Sequence, residues 1–322
     1  MTILVTGGAG FVGANFVHHL LATSDEAITV LDALTYAGSL ERIADVVDDR
    51  RVRFVHGDIT DPGDVRRAIA GARAVVHLAA ESHVDRSLLD PDVFSRTNVT
   101  GTDVVCREAG RADVERFVHI STDEVYGPIL EGAFDEDAPL APTSPYARSK
   151  AESDRIALGH HRDHGLPVIV TRSSNQYGPW QFPEKLIPYF VATLLGGGRV
   201  PLYGDGLHVR DWLHVEDNCA LVALVLDRGE VGTIYNLAAH QERTNRAVTE
   251  AILRRLDLPT DRIEAVADRP DHDRRYAVAT DRIEALGGPT PRPFEAALEA
   301  TIDWYLDHRS WWEPLLPRVR NR

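Results

Sequence analysis

At 322 residues, with 43% hydrophobic and 26% charged residues, the chain has the composition of a globular protein that can bury one large core and a smaller second one. Its formal charge of −14 excludes nucleic acid as the expected partner, since phosphate contacts need clustered Lys and Arg, and no apolar run approaches a membrane span. Two cysteines without metal-ligand spacing, and a start that runs into a strand with no basic leader, predict a cytoplasmic protein with buried thiols.

Residues 2–6 read as an apolar strand that enters Gly7-Gly8-Ala9-Gly10-Phe11-Val12-Gly13, with a helix from Ala14 to Ala22. In such a strand–turn–helix unit Gly7 permits the tight turn, Gly10 lets the backbone approach a pyrophosphate, and Gly13 allows close helix packing. A second strand, Ala27–Leu31, ends in Asp32, 19 residues after Gly13. An acid there accepts hydrogen bonds from both ribose hydroxyls, and with no arginine adjacent it repels a 2′-phosphate, so NAD is expected rather than NADP. After the strand Val52–Val55, Asp58 is placed to reach an adenine amino group, and Asp61 caps the next helix. The strand Ala74–Leu78 leads into Ala79-Ala80-Glu81-Ser82, and a helix is predicted from about Pro91 to Gly110. Strand and helix alternate throughout, which predicts an α/β fold: a doubly wound parallel sheet, Rossmann-like, where ligands bind beyond the carboxyl ends of the strands.

The strand Arg116–Ile120 ends in Ser121-Thr122-Asp123-Glu124-Val125-Tyr126-Gly127, which sets two adjacent carboxylates at that ligand-binding edge. A helix beginning near Ser144 carries Tyr146 and Lys150, four apart and therefore on one face. Of 35 basic residues only Lys150 and Lys185 are lysine, which points to sites where a compact ammonium matters. A lysine and a cationic nicotinamide ring both lower a phenol's pKa, so Tyr146 is the expected base for alcohol oxidation. Oxidation alone leaves Asp123 and Glu124 without a task. A carboxylate pair beside the reacting carbon suggests a second step, in which one group takes a proton and the other gives one. Beyond the strand Pro167–Arg172 the texture changes. The expected division is a cofactor domain over 1–175, joined again by 211–235, and a smaller C-terminal substrate lobe over 176–210 and 236–322.

Taken together, Thr6–Gly13, Leu78–Ser87, Ser121–Gly127, Tyr146 with Lys150, Phe182–Pro188, Arg210-Asp211-Trp212 and His272–Tyr276 resemble the nucleotide-sugar 4,6-dehydratases of the extended short-chain dehydrogenase/reductase group. The branch that acts on a thymidine-diphosphate sugar is the nearest. The resemblance implies that Tyr146 removes the C4 hydroxyl proton, with Thr122 bonded to that hydroxyl and Lys150 tuning the tyrosine. Glu124 would take the C5 proton and Asp123 would protonate the departing C6 hydroxyl. It adds Phe11, Val12, Leu34, Thr35, Ile59, Leu78, Ala79, Ala80 and Thr97 to the NAD site. It assigns Ser82, Thr122, Asn175, Lys185, Leu186, Pro201, Tyr203, Arg210, Asn245, His272 and Arg274 to the nucleotide-sugar substrate. No metal is implied, and a homodimer pairing the helices near 91–110 and 145–162 is expected. Three positions depart from the family pattern: Ser173 for cysteine, Gln176 for asparagine and Asp271 for glycine. Epimerases and decarboxylases share the glycine turn and the Tyr/Lys pair, and remain alternatives, as does a dehydratase acting on a UDP- or GDP-sugar. A non-catalytic dinucleotide-binding regulator would be expected to lack Tyr146, Lys150 or the acid pair.

Overall fold

The structure, a computed structural model, describes residues 1–268 and 272–320. Among the described residues twelve strands run in chain order: β1 (Thr2–Thr6), β2 (Ala27–Asp32), β3 (Val52–His56), β4 (Ala72–His77), β5 (Arg116–Thr122), β6 (Val168–Ser173), β7 (Asn175–Tyr177), β8 (Val200–Tyr203), β9 (Val209–His214), β10 (Ile234–Leu237), β11 (Glu242–Thr244) and β12 (Ile263–Val266). Seven form one parallel sheet in the order β10-β6-β5-β4-β1-β2-β3. The order reverses between β1 and β4, and a crevice opens there at the carboxyl ends. Because both faces are covered, the strands read as near-continuous apolar runs; β6 is buried along its whole length.

The helices relevant to the site are α1 (Phe11–Thr23), α2 (Pro62–Ile69), α3 (Val84–Leu89), α4 (Pro91–Phe94), α5 (Gly101–Arg111), α6 (Pro145–His164), α7 (Leu186–Leu195) and α8 (Val215–Arg228). Phe16, Val17, Leu221 and Val225 fill the core on one face of the sheet, and Val65, Val104, Val105 and Ala157 fill it on the other. Asp61 caps α2 through Gly63 and Asp64, as its position before Pro62 predicts. The helix expected from Pro91 to Gly110 is interrupted: residues Ser95–Thr100 form a π-helical turn between α4 and α5. Such turns recur at functional sites, and this one aims Asn98 at the loop after β4.

The C-terminal lobe is built on a three-stranded sheet, β11-β9-β7, and a two-stranded one, β12-β8, around a core that includes Phe190, Trp212, Ile252, Phe294, Tyr305 and Trp312. The return to the large sheet extends further than residue 235, because β10 pairs with β6 through Leu237. Four residues are too short for sequence periodicity to assign them to a sheet; only pairing does so.

Candidate active site

The β1–α1 turn is shaped by backbone contact. Gly7 sits at φ +71°, and a Cβ there would lie 2.7 Å from the Ala79 nitrogen. A Cβ on Gly13 would lie 2.1 Å from the Gly7 carbonyl oxygen. Any side chain at 13 would push the helix off the turn and close the phosphate cradle. Asp32 is buried, and its two oxygens accept from the amides of Ala9 (2.9 Å) and Leu34 (2.8 Å). Each oxygen keeps a second lone pair for a hydroxyl donor. Arg42 does approach this carboxylate, although the sequence beside Asp32 shows no arginine. It is buried, and its guanidinium donates to the carbonyls of Ala9, Ala37 and Trp180. Burial lowers its pKa to about 10. With those donors committed, Arg42 supports the turn and leaves Asp32 as the local anion, which fits NAD.

A cavity of about 320 Å³ runs along the carboxyl edge of the sheet. It is lined by Gly7, Gly10, Phe11, Val12, Gly13, Asp32, Thr35, Asp58, Ile59, Leu78, Ala79, Ala80, Thr97, Tyr146 and Lys150, so the structure gathers these candidates into one wall. Leu34 stands outside it; its backbone takes φ +50° and its amide turns to Asp32. Ser82 and Thr122 line this same cavity. Asn98, in the π-helical turn, donates to the Glu81 carbonyl (2.9 Å) and to Ser149 Oγ (2.8 Å), tying the loop after β4 to α6 beside Lys150. Of the three departures, Ser173 belongs to the cofactor side, buried and bonded to Asn218 Oδ1 at 2.8 Å. Asp271 lies outside the described residues.

A larger cavity of about 560 Å³ adjoins the first, and Glu124, Asn175, Gln176, Gln181, Glu184 and Lys185 line both. Leu186, Pro201, Tyr203, Arg210, Asn245 and His272 line the larger one alone. Arg274 does not reach it. Its guanidinium is bidentate to Asp205, at 2.8 and 3.0 Å, because the β8–β9 loop brings that carboxylate to it. At the junction the side-chain oxygens Asn175 Oδ1 and Gln176 Oε1 are buried without a hydrogen-bond partner. Leaving such atoms unsatisfied is costly, so they mark where a polar ligand belongs.

The acid pair sits on a 3-10 turn, Asp123–Tyr126, and Thr122 rather than Asp123 caps it, its hydroxyl accepting from the Glu124 amide at 3.3 Å. The two carboxylates therefore take different environments. Asp123 is 2% exposed and outside both cavity walls; burial, then the charges of Glu124 and Asp211, hold its pKa well above the ordinary range. Glu124 lies where the cavities meet.

Tyr146 follows α6's N-cap, Ser144, and Lys150 lies one turn on, its Nζ donating to the Ile120 carbonyl at 2.7 Å. Burial lowers the Lys150 pKa to about 8, opposed by Asp154. Among the protein's own groups, burial, then the charge of Glu124, raise the Tyr146 pKa, and a hydrogen bond with Thr122 opposes them. The spacing of tyrosine and lysine carries no information about how far the pocket is desolvated, and that decides the sign. Sequence reasoning also missed Asp154, which continues the Tyr146–Lys150 face by four more residues. It is fully buried between Arg172 (3.0 Å) and His119 (3.3 Å). It missed as well the Tyr36–Glu184–Arg86 group beside the junction, where the Tyr36 hydroxyl donates to Glu184 Oε1 at 2.9 Å and the Arg86 guanidinium lies 3.3 Å from the Tyr36 ring centroid.

A glycine-turn cradle beside a tyrosine, a lysine and two adjacent carboxylates defines a nicotinamide-dependent enzyme of the Rossmann class. The chain belongs to the NAD dependent epimerase/dehydratase family, whose model matches residues 3–238. It is 52% identical to a dTDP-glucose 4,6-dehydratase of Streptomyces antibioticus over 99% of this chain and 96% of that one. A crystal structure of a dTDP-glucose 4,6-dehydratase from Streptomyces venezuelae with NAD and TYD bound superposes with a TM-score of 0.96 at 50% identity, covering 98% of this chain and all of that one. The UDP-glucose 4-epimerase of Thermus thermophilus, in complex with NAD, gives 0.87 at 30% identity over 96% and 100%.

Proposed function

We propose that the protein is a dTDP-glucose 4,6-dehydratase that uses NAD to convert its substrate to the 4-keto-6-deoxy sugar nucleotide. The observation that carries this reading is the split of one carboxylate pair into a buried Asp123, its pKa held well above the ordinary range by burial and then by Glu124, and a Glu124 at the junction of the cavities. An epimerase has no use for that split. NAD, which Gly7, Gly10, Gly13 and Asp32 would hold along the smaller cavity, would supply the hydride acceptor for C4 and the donor for C6. Tyr146, hydrogen-bonded to Thr122, takes the C4 hydroxyl proton, with Lys150 one helical turn further on in α6. The resulting ketone acidifies C5; Glu124 removes that proton while Asp123, behind the cavity wall, gives its proton to the departing C6 hydroxyl by way of the Thr122 hydroxyl, 3.3 Å from its Oδ1 and lining the smaller cavity, and water leaves. Glu124 then reprotonates C5. Asn175 and Gln176 hold the sugar between the cavities, and Lys185, Arg210 and Asn245 receive the nucleoside diphosphate end, the first two supplying positive charge there against a net chain charge of −14.

The protein acts as a cytoplasmic homodimer. Among the described residues no helix is long and apolar enough to cross a membrane, and both cysteines are buried and free. The dimer pairs the helical stretch 91–111 and α6, neighbours along one side of the sheet. Purified protein incubated with dTDP-glucose and no added reductant should yield the 4-keto-6-deoxy product by NMR. Unchanged dTDP-glucose, with turnover of a UDP- or GDP-sugar instead, would remove the thymidine assignment and leave the chemistry; a C4 epimer would remove the chemistry.

A further inference from the structure

We propose that Arg42 is a positioning residue for the cofactor: it ties the glycine turn of the NAD cradle to the start of the C-terminal lobe, so that the filled lobe keeps NAD in place between the two hydride transfers. This rests on the proposed occupants, NAD in the smaller cavity and a nucleoside diphosphate in the larger. Four consecutive carbonyls, those of residues 178–181, carry the tie. Gly178 and Gln181 accept from the Tyr305 hydroxyl, at 3.4 and 2.8 Å, on the helix Phe294–Asp307 of the C-terminal lobe. Pro179 accepts from Asn15 Nδ2 of α1 at 3.1 Å, and Trp180 accepts from Arg42 Nε at 3.0 Å. The cofactor domain and the C-terminal lobe thus grip one short segment together. Trp180 is held there at φ +69°, a conformation that a bulky residue adopts only where its surroundings impose it. Its ring meets those of Trp304 and Trp311, with centroids 4.9 and 5.2 Å away, and the Arg42 guanidinium lies over the Trp311 ring, 5.3 Å from its centroid.

Arg42 also acts on the cradle itself. Its guanidinium, on a residue 1% exposed, donates to the carbonyls of Ala9, at 3.0 Å, and Ala37. Ala9 is held at both ends, since its amide donates to Asp32. A trans peptide turns the following amide the opposite way from the carbonyl, and the Gly10 amide donates to the Gly7 carbonyl at 3.0 Å, which closes the turn. The next amides begin α1, whose N-cap, Gly10, has no side-chain acceptor, so a pyrophosphate is left to satisfy them. At the far side of the tie, Gln181 and Phe182 line the cofactor cavity, and Gln181 lines the larger cavity as well. An occupant of the larger cavity therefore steadies the wall that Arg42 fastens to the turn. A guanidinium suits this task because its planar fork reaches three carbonyls at once; an ammonium keeps the charge and loses the geometry. In the proposed reaction the hydride taken from C4 returns to C6, so the cofactor has to stay through the whole cycle.

The test is exchange of the bound cofactor. Holoenzyme freed of excess NAD by gel filtration is mixed with NAD deuterated in the nicotinamide ring, and the bound fraction is followed by mass spectrometry with and without dTDP. Arg42→Met should exchange at least about tenfold faster than wild type, the loss expected when hydrogen bonds from a charged donor are removed. Arg42→Lys, which keeps the buried charge, should fall between the two, and serves alone if the methionine variant folds poorly. In the wild type dTDP should slow exchange by at least about fivefold, and in Arg42→Met it should leave the rate unchanged. An arginine that only supports the fold would speed exchange when replaced without abolishing the effect of dTDP. Wild-type exchange rates in the variants, or an equal effect of dTDP in all the proteins, overturns the proposal. Binding of dTDP is read separately by calorimetry: if the wild type binds none, the substrate reading fails, and the rates without nucleotide still decide whether Arg42 holds the cofactor.

Discussion

Replacing Glu124 with glutamine tests the division of labour most directly. The side chain keeps its length and hydrogen-bonding atoms but can no longer accept the C5 proton. A positioned general base contributes about 10²–10⁴ in rate, or roughly 2.7–5.4 kcal/mol of barrier at ~1.36 kcal/mol per tenfold. The upper half of that range is expected here, because the neighbouring Asp123 is buried and lines neither cavity, so it cannot take the C5 proton in its place. Oxidation should survive, and should even be favoured. The Glu124 charge is the second-largest cause raising the Tyr146 pKa, so its removal lets the phenol ionise at lower pH. The assay is a single turnover of Glu124→Gln with dTDP-glucose in D₂O. Near-ultraviolet absorbance follows reduced nicotinamide, and NMR follows deuterium at C5. Accumulated reduced cofactor, an acid-shifted oxidation profile and at least 10³-fold slower C5 exchange are expected. Exchange within about fivefold of wild type would refute the assignment of Glu124 as the base.

The remaining expectations are simpler. Tyr146→Phe should lose the hydride step itself by about 10²–10⁴, with no reduced cofactor seen, unlike the Glu124 variant; a normal burst of reduction would remove Tyr146 as the base. Gly13→Ala should lose bound NAD on gel filtration, because its Cβ would press on backbone at 2.1 Å; full cofactor occupancy would show that the turn tolerates the shift. His119 is fully buried and its pKa is lowered to about 4, mainly by burial. The unfolded chain therefore binds the extra proton first. Stability should be complete above about pH 6.5 and fall as the pH drops toward about 4, by on the order of 3 kcal/mol from this group. Denaturant unfolding of His119→Gln should show a flatter slope across that window, and an unchanged slope would contradict it.

Much of the site was legible because its chemistry is carried by local spacing. A glycine turn between strand and helix, an acid at the end of the next strand, adjacent carboxylates at a strand end and a four-residue Tyr/Lys interval are short-range features, and backbone geometry turns each into a position. Glu184, Arg42 and Asp205 were not legible in that way. Each acts through a partner far along the chain. Arg42 and Trp180 are 138 residues apart, Asp205 and Arg274 are 69 apart, and nothing in the residues nearby announces either pairing. Asp154 falls between the two cases: its spacing from Lys150 was visible, but its meaning as a buried counter-charge depends on β5 and β6 delivering His119 and Arg172.

By itself, then, the sequence determined the alternation of strand and helix, the NAD cradle around Gly7, Gly10, Gly13 and Asp32, and the identity of the groups gathered at the end of β5. The tertiary structure alone decided how differently the two carboxylates are surrounded. Asp123 and Glu124 are chemically alike and adjacent in the chain; they differ because one is turned into the interior toward Asp211 and the other lines the cavities. Desolvation and the distance to other charges set a carboxyl group's affinity for its proton, and both are properties of packing.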